Sequence, residues 1–191
     1  MKLIYNPFER FSENRLLTFG FLLTLAGSFI AWPLSSRYDG AIDMHLGSNV
    51  QWWQPFIDNG INTVSLAGLL FALGYYFNKR TRFIDVLNAS LIARSPFYLL
   101  PLSNIGGFMQ KATENILAAG PDITKIEPTN LIVLLIVGFL SIGILVWAMA
   151  LLYNGFKVAT NIKTTPQIIA FAVTILLAEA LSKILIINLP Y

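Results

Sequence analysis

Five apolar runs of membrane-crossing length dominate this sequence, and they leave few ways for it to fold. They cover roughly Leu16–Leu34, Ile61–Phe77, Phe83–Leu102, Leu131–Leu152 and Pro166–Leu189. A helix needs about 20 apolar residues to cross the hydrocarbon. Inside lipid every backbone N–H and C=O must be satisfied within the protein, which leaves helices or closed barrels. Runs this long and this apolar point to helices. Only 12% of the residues are charged and the mean hydropathy is +0.65, whereas soluble domains carry about 25% charged residues. The expected class is all-α: an integral membrane bundle of five transmembrane helices forming one domain over residues 1–191.

The turns between runs set the expected topology. Asn78-Lys79-Arg80-Thr81-Arg82 is short and basic, so the second and third spans form an antiparallel hairpin. Asn154–Thr165 is a second short turn, carrying Lys157 and Lys163. Lys2, Arg10, Arg15, Lys79, Arg80, Arg82, Lys157 and Lys163 fall on one side, and Arg37, Lys111 and Lys125 on the other. Lysine and arginine accumulate on the cytoplasmic side, so the N-terminus is expected inside and the C-terminus outside. The start, MKLIYNPFERFSENR, is too polar for a signal peptide. Asn6-Pro7-Phe8-Glu9 reads as a capped helix start, and residues 1–15 as a short interfacial helix.

The third run is the anomaly. FIDVLNASLIARSPFYLLPL carries Asn88, Ser90, Arg94 and Ser95 where a bilayer favours carbon. Arginine at mid-membrane costs from about 3 to over 10 kcal/mol, so Arg94 requires a partner. Pro96 and Pro101 each remove a backbone donor, which predicts a break just after Arg94. Glu179 and Lys183, four apart, share a face of the fifth span. Counting ~1.5 Å per residue from Phe83 and Pro166 places Arg94 at about 17 Å and Glu179 at about 20 Å. The two spans run in the same direction, so the two residues are nearly level. The expectation is a buried Arg94–Glu179 salt bridge, with Lys183 joining it or snorkelling outward to the outer surface, and with Asn88 and Ser90 extending an intramembrane polar network. Two roles remain open for it: a pin that fixes helix packing, or a polar cavity for an ion, proton or lipid headgroup.

Other features read more plainly. Gly68 and Ala72 place two small residues on one face of the second span, permitting close helix approach. Trp32, Trp52 and Trp53 suit an interfacial belt. Ser35–Asn59 reads as a hydrated polar loop, and Phe108–Leu117 as a short surface helix stopped at Gly120-Pro121. Asp39, Asp43 and His45 lack calcium-loop spacing, and one histidine without further nitrogen or sulfur ligands makes a poor zinc site. With no cysteine, disulfides, thiolate metal sites and cysteine nucleophiles are excluded. No Gly-x-Ser-x-Gly, His-Glu-x-x-His or phosphate-cradling loop is present, so neither an enzyme nor a cofactor or metal is indicated. Nucleic-acid binding lacks a basic, aromatic surface.

Three stretches carry a family resemblance: NPFERF before the first span, NASLIARSPFYLLPL in the third, and LLYNGFKVATNIKTTPQIIAF across the last turn. With five spans, these resemble the Yip family of small membrane proteins, which includes Rab-GTPase-interacting proteins of the early secretory pathway and many bacterial relatives. The resemblance implies a non-enzymatic, multi-pass scaffold or adaptor of bacterial type. It would lie in the inner membrane, with the bilayer and other membrane proteins or a second copy of itself as partners. The chain departs from the eukaryotic members in its short stretch before the first span, and it lacks an Asp-Leu-Tyr-Gly-Pro-like stretch. Both departures speak against binding a Rab-type GTPase. The alternative is a small transporter, channel or lipid-handling protein with a polar cavity around Arg94 and Glu179.

Overall fold

The computed structural model describes residues 2–120 and 127–189. Helix α1 (Lys2–Tyr5) is a single turn, and α2 (Glu13–Ala31) follows. A two-residue ribbon, β1 (Ser36–Arg37) with β2 (His45–Leu46), pairs antiparallel in the next connection. Then come α3 (Gln54–Phe77), α4 (Phe83–Arg94), 3₁₀ turns over Ser95–Gly107, and α5 (Phe108–Ala119). Helices α6 (Pro128–Thr160) and α7 (Thr165–Ile187) complete the order. Among the described residues, five helical segments are long and apolar enough to cross a membrane. They are α2, α3, the Phe83–Ala119 segment containing α4, α6 and α7.

At one end of the bundle, here the hairpin end, lie the 78–82 and 161–164 turns and the start of α2. The opposite, loop end carries residues 32–53 and α5. Helix α4 is the central element, packed against α2, α3 and α6, while α7 docks chiefly on α3. The core is built on Leu66, Leu70, Val86, Ile92, Leu152, Phe156, Phe171 and Ile175. Close helix approach comes from glycine: a Cβ on Gly155 of α6 would stand 2.6 Å from the Ala89 Cβ of α4.

Local chemistry sets the element ends. Thr164 and Gln167 form a reciprocal capping box that starts α7. Asn161 adopts φ +58° and ends α6, a left-handed conformation asparagine tolerates better than most residues. The α4 ladder stops at Arg94, where the Ser95 N–H reaches back to the Ile92 carbonyl. Pro96 and Pro101 cannot donate, so the tighter 3₁₀ winding takes over. This is the break expected from the prolines.

Several expectations change. Asn6-Pro7 does not start a helix. Helix α1 ends before it, and the Pro7 carbonyl accepts from the Arg10 and Phe11 N–H groups in a turn. The N-terminal segment instead lies on α6, where Trp147 Nε1 donates to the Ile4 carbonyl and Asn154 Nδ2 to the Tyr5 carbonyl, each at 2.9 Å. Helix α6 runs to Thr160, so Asn154–Thr160 is helix rather than turn. Helix α3 starts at Gln54, seven residues before Ile61. The surface helix expected over 108–117 is α5, ended by Gly120 at φ +60°. Pro121 and Lys125 lie outside the described residues.

Candidate functional site

The site is built where the 35–47 loop enters the bundle. Tyr38, Gly40 and Ala41 are buried, which corrects the expectation of a hydrated loop. A buried loop needs a partner for each backbone group, and the surrounding helices supply them. Tyr38 Oη donates to the Gly27 carbonyl at 3.3 Å, and Asn62 Nδ2 donates to the Tyr38 carbonyl. The Tyr38 ring meets Tyr98 edge-on at 5.6 Å. Burial pushes the Tyr38 hydroxyl well above the usual tyrosine range. Gly40 has no room for a side chain, because a Cβ there would collide with the Glu179 carboxylate.

Arg94 stands at the last position of α4, 1% exposed. Its Nη1 donates to the Ala41 carbonyl at 2.7 Å and, more weakly, to the Gly40 carbonyl at 3.4 Å. Its Nη2 donates to Asn59 Oδ1 at 2.7 Å. Asn59 Nδ2 donates in turn to Ser28 Oγ at 2.9 Å, tying α3 to α2. Among the described residues, Arg94 Nε has no hydrogen-bond partner, and neither do the buried Asn62 Oδ1 and Thr63 Oγ1.

Glu179 approaches the same loop from α7. Its Oε2 accepts from the Ile42 N–H at 2.8 Å, and Ser182 Oγ accepts from the Ala41 N–H at 3.1 Å. Lys183 Nζ lies 3.3 Å from Glu179 Oε1 and 2.6 Å from Asp43 Oδ2.

The direct Arg94–Glu179 salt bridge is therefore not formed. The carbonyl bonded to Arg94 and the N–H bonded to Glu179 belong to one peptide group, Ala41–Ile42. That group offers its negative end to the guanidinium and its positive end to the carboxylate. The two charged groups flank the same peptide, and a strand of backbone separates them. A peptide dipole of about 3.5 D complements both ions without bringing them into contact. Lys183 pairs with Glu179 and Asp43.

Asn88 and Ser90 stand apart from this cluster. Asn88 Nδ2 donates to the Glu13 carbonyl at the start of α2, and Ser90 Oγ to the Val86 carbonyl of its own helix. Both lie on the hairpin side of Arg94, out of reach of the loop. Gly68 and Ala72 are exposed on α3, and a Cβ on Gly68 would meet nothing within 4 Å. They do not bring helices of this chain together, because α3 buries the face carrying Asp58, Asn62, Leu66, Leu70 and Gly74. Trp32 and Trp52 are exposed and Trp53 half-buried, all at the loop end of the bundle.

Two acidic groups complete the loop's ties. Arg37 grips the buried Asp58 through two bonds, at 2.9 and 2.7 Å. His45 Nδ1 lies 3.0 Å from Asp39 Oδ1. That contact raises the His45 imidazole above its usual range. Partial burial pushes the Asp39 carboxyl up, but the contact with His45 outweighs it and holds the group below its ordinary value. Among the described residues, no group of three or more His, Cys, Asp or Glu side chains could hold a metal ion.

Asn59, Asn62 and Ser182 escaped the sequence reading. Asn59 closes the segment expected as a hydrated polar loop, yet Asp58, Asn59, Asn62, Thr63 and Ser65 crowd the start of an otherwise apolar helix. That density was the available signal. The fold defines a class: an all-helical protein with five helices long and apolar enough to cross a membrane, whose buried Arg94 is bonded to the loop between α2 and α3. Comparison with protein-family models, curated proteins and solved structures gives no match.

Proposed function

We propose that the chain is a non-enzymatic membrane scaffold or adaptor of the Yip type, with its N-terminus cytoplasmic and its C-terminus outside, in a bacterial inner membrane. The observation that carries the scaffold reading is the closure over Arg94. The guanidinium is 1% exposed and spends its bonds on loop carbonyls and Asn59, so its charge holds the 38–43 segment in place. None of the three surface clefts described is lined by Arg94. Broad apolar faces on α6 and α7 remain free for lipid or partner helices. The basic hairpin end supports the orientation.

The unpaired Arg94 Nε, Asn62 Oδ1 and Thr63 Oγ1 favour the second reading, a polar conduit through the same site. One experiment separates the two. The sequence has no cysteine, so single cysteines report cleanly. In the scaffold, Asn62→Cys and Ser182→Cys resist a membrane-impermeant thiol reagent from both sides of reconstituted vesicles. Lys79→Cys and His45→Cys label from opposite sides. Rapid labelling of Asn62→Cys or Ser182→Cys, together with solute flux that Arg94→Ala abolishes, would establish the conduit instead.

A further inference from the structure

On the flank of the bundle opposite α7, an apolar groove of about 730 Å³ runs between α2 and α6, floored by α4. Its walls include Phe19, Leu23, Ile92, Trp147 and Leu151, and the N-terminal segment closes one side through Leu3, Ile4 and Pro7. That wall is fixed in place by the Trp147 and Asn154 bonds to the Ile4 and Tyr5 carbonyls. The volume falls within the roughly 300–1,000 Å³ typical of small-molecule pockets. From Arg15 to Leu23 along α2 the groove extends ~12 Å at 1.5 Å per residue. It therefore leads from the hairpin end toward mid-depth.

The hairpin end of the groove is basic. Arg15 lines it, is exposed, and makes no hydrogen bond or ion pair among the described residues. The neighbouring acid Glu13 is already taken by Arg82 at 2.7 Å. Ser12, at the N-cap of α2, makes no side-chain capping bond, so the first-turn N–H groups are also open. A free guanidinium beside an uncapped helix start attracts an anion, and the apolar channel beyond it takes a hydrocarbon chain. Both lie on a surface bounded by membrane-length helices.

We infer that this groove seats one acyl chain of an anionic glycerophospholipid, with the lipid phosphate at Arg15 and the start of α2. The inference requires the bundle to lie in a bilayer but is independent of the scaffold reading. A failure here leaves the thiol-labelling result at Asn62 and Ser182 untouched.

The test uses the full chain, delipidated in neutral detergent and titrated with phosphatidylglycerol or phosphatidylcholine of identical acyl chains, with bound lipid counted by native mass spectrometry. One phosphatidylglycerol should be retained in preference to phosphatidylcholine. Arg15→Gln should reduce that preference about tenfold, the equivalent of one charge-assisted hydrogen bond, and Arg15→Lys should retain most of it. Leu23→Trp, which fills the channel, should lose the lipid; Arg15→Gln, at an exposed position, serves where that variant does not fold. Equal retention of the two lipids by the unmodified chain overturns the inference, as does an undiminished preference in Arg15→Gln. A groove occupied by a second copy, seen as a dimer that Leu23→Trp splits with no change in bound lipid, also overturns it.

Discussion

Replacing Asn59 with leucine should damage this protein far more than neutralising Glu179. Asn59 supplies the one side-chain acceptor that Arg94 uses, at 2.7 Å, and it bonds Ser28 on its other side. A hydrogen bond to a charged group contributes about 1.5–3 kcal/mol and a neutral one about 0.5–1.5 kcal/mol. Asn59→Leu removes one of each, so the expected loss is about 2–4.5 kcal/mol by that sum. Glu179→Gln keeps an oxygen for the Ile42 N–H, and Lys183 keeps Asp43. Its cost should stay within about 1 kcal/mol, the usual ceiling for a partly exposed ion pair. Unfolding of the purified chain in mixed micelles, followed by tryptophan fluorescence, would rank the two variants and the double mutant. A direct Arg94–Glu179 contact would reverse the order, because removing one partner of a buried pair costs roughly 3–5 kcal/mol. If Glu179→Gln proves the more damaging variant, the peptide-bridged arrangement is wrong.

Four further outcomes follow from the same structure. Gly40→Ala should unseat the loop, since its Cβ would collide with the Glu179 carboxylate; a loss of about 1–3 kcal/mol is expected for such overpacking, with Ser182→Cys becoming reactive to thiol reagents. Gly155→Ala should cost a similar amount, because its Cβ would meet Ala89 at 2.6 Å and Phe8 at 2.9 Å. Gly68→Ala, facing open space, should be neutral or stabilise α3 by up to about 1 kcal/mol in the same unfolding assay. The fourth concerns pH. The folded His45 titrates above its unfolded value of about 6.5, so its contribution to stability is complete below that pH and fades as pH rises through the folded value. Asp39 is shifted down, so its share is present above about 3.8 and disappears as pH falls through its folded value. NMR titration of the single histidine should report the elevated value, and Asp39→Asn should bring it back toward 6.5.

The helices were legible because they follow from simple counting. Long apolar runs demand helices. The proline pair marked the end of α4 correctly, because a missing donor acts locally. What fills the space between two charges is not a local property. Tyr38-Asp39-Gly40-Ala41-Ile42 looks like any solvated turn, and its burial becomes visible only when Asn62, Arg94, Glu179 and Ser182 converge on its backbone. The small-residue reading failed for a related reason. Gly68 and Ala72 have the right spacing, but which helical face is covered depends on the polar stripe at Asp58, Asn59 and Asn62, and that stripe turns them outward. Contacts that exploit a missing side chain lie elsewhere, as at Gly20 against Leu91, Gly27 against Tyr98, Gly74 against Thr160 and Gly155 against Ala89 and Phe8.

The loop's anchoring also dictates an order of assembly. Ala41 is bonded to Ser182, 141 residues later in the chain. At synthesis rates of about 5–20 residues per second, the first helices wait roughly 7–30 s for that hydroxyl to be made. Once Arg94 is made, 53 residues after Ala41, the guanidinium side of the segment can be in place while the carboxylate side is missing. A ribosome stalled before the final helix would thus leave a half-fastened intermediate, and whatever attends a nascent chain in the membrane meets the protein in that state.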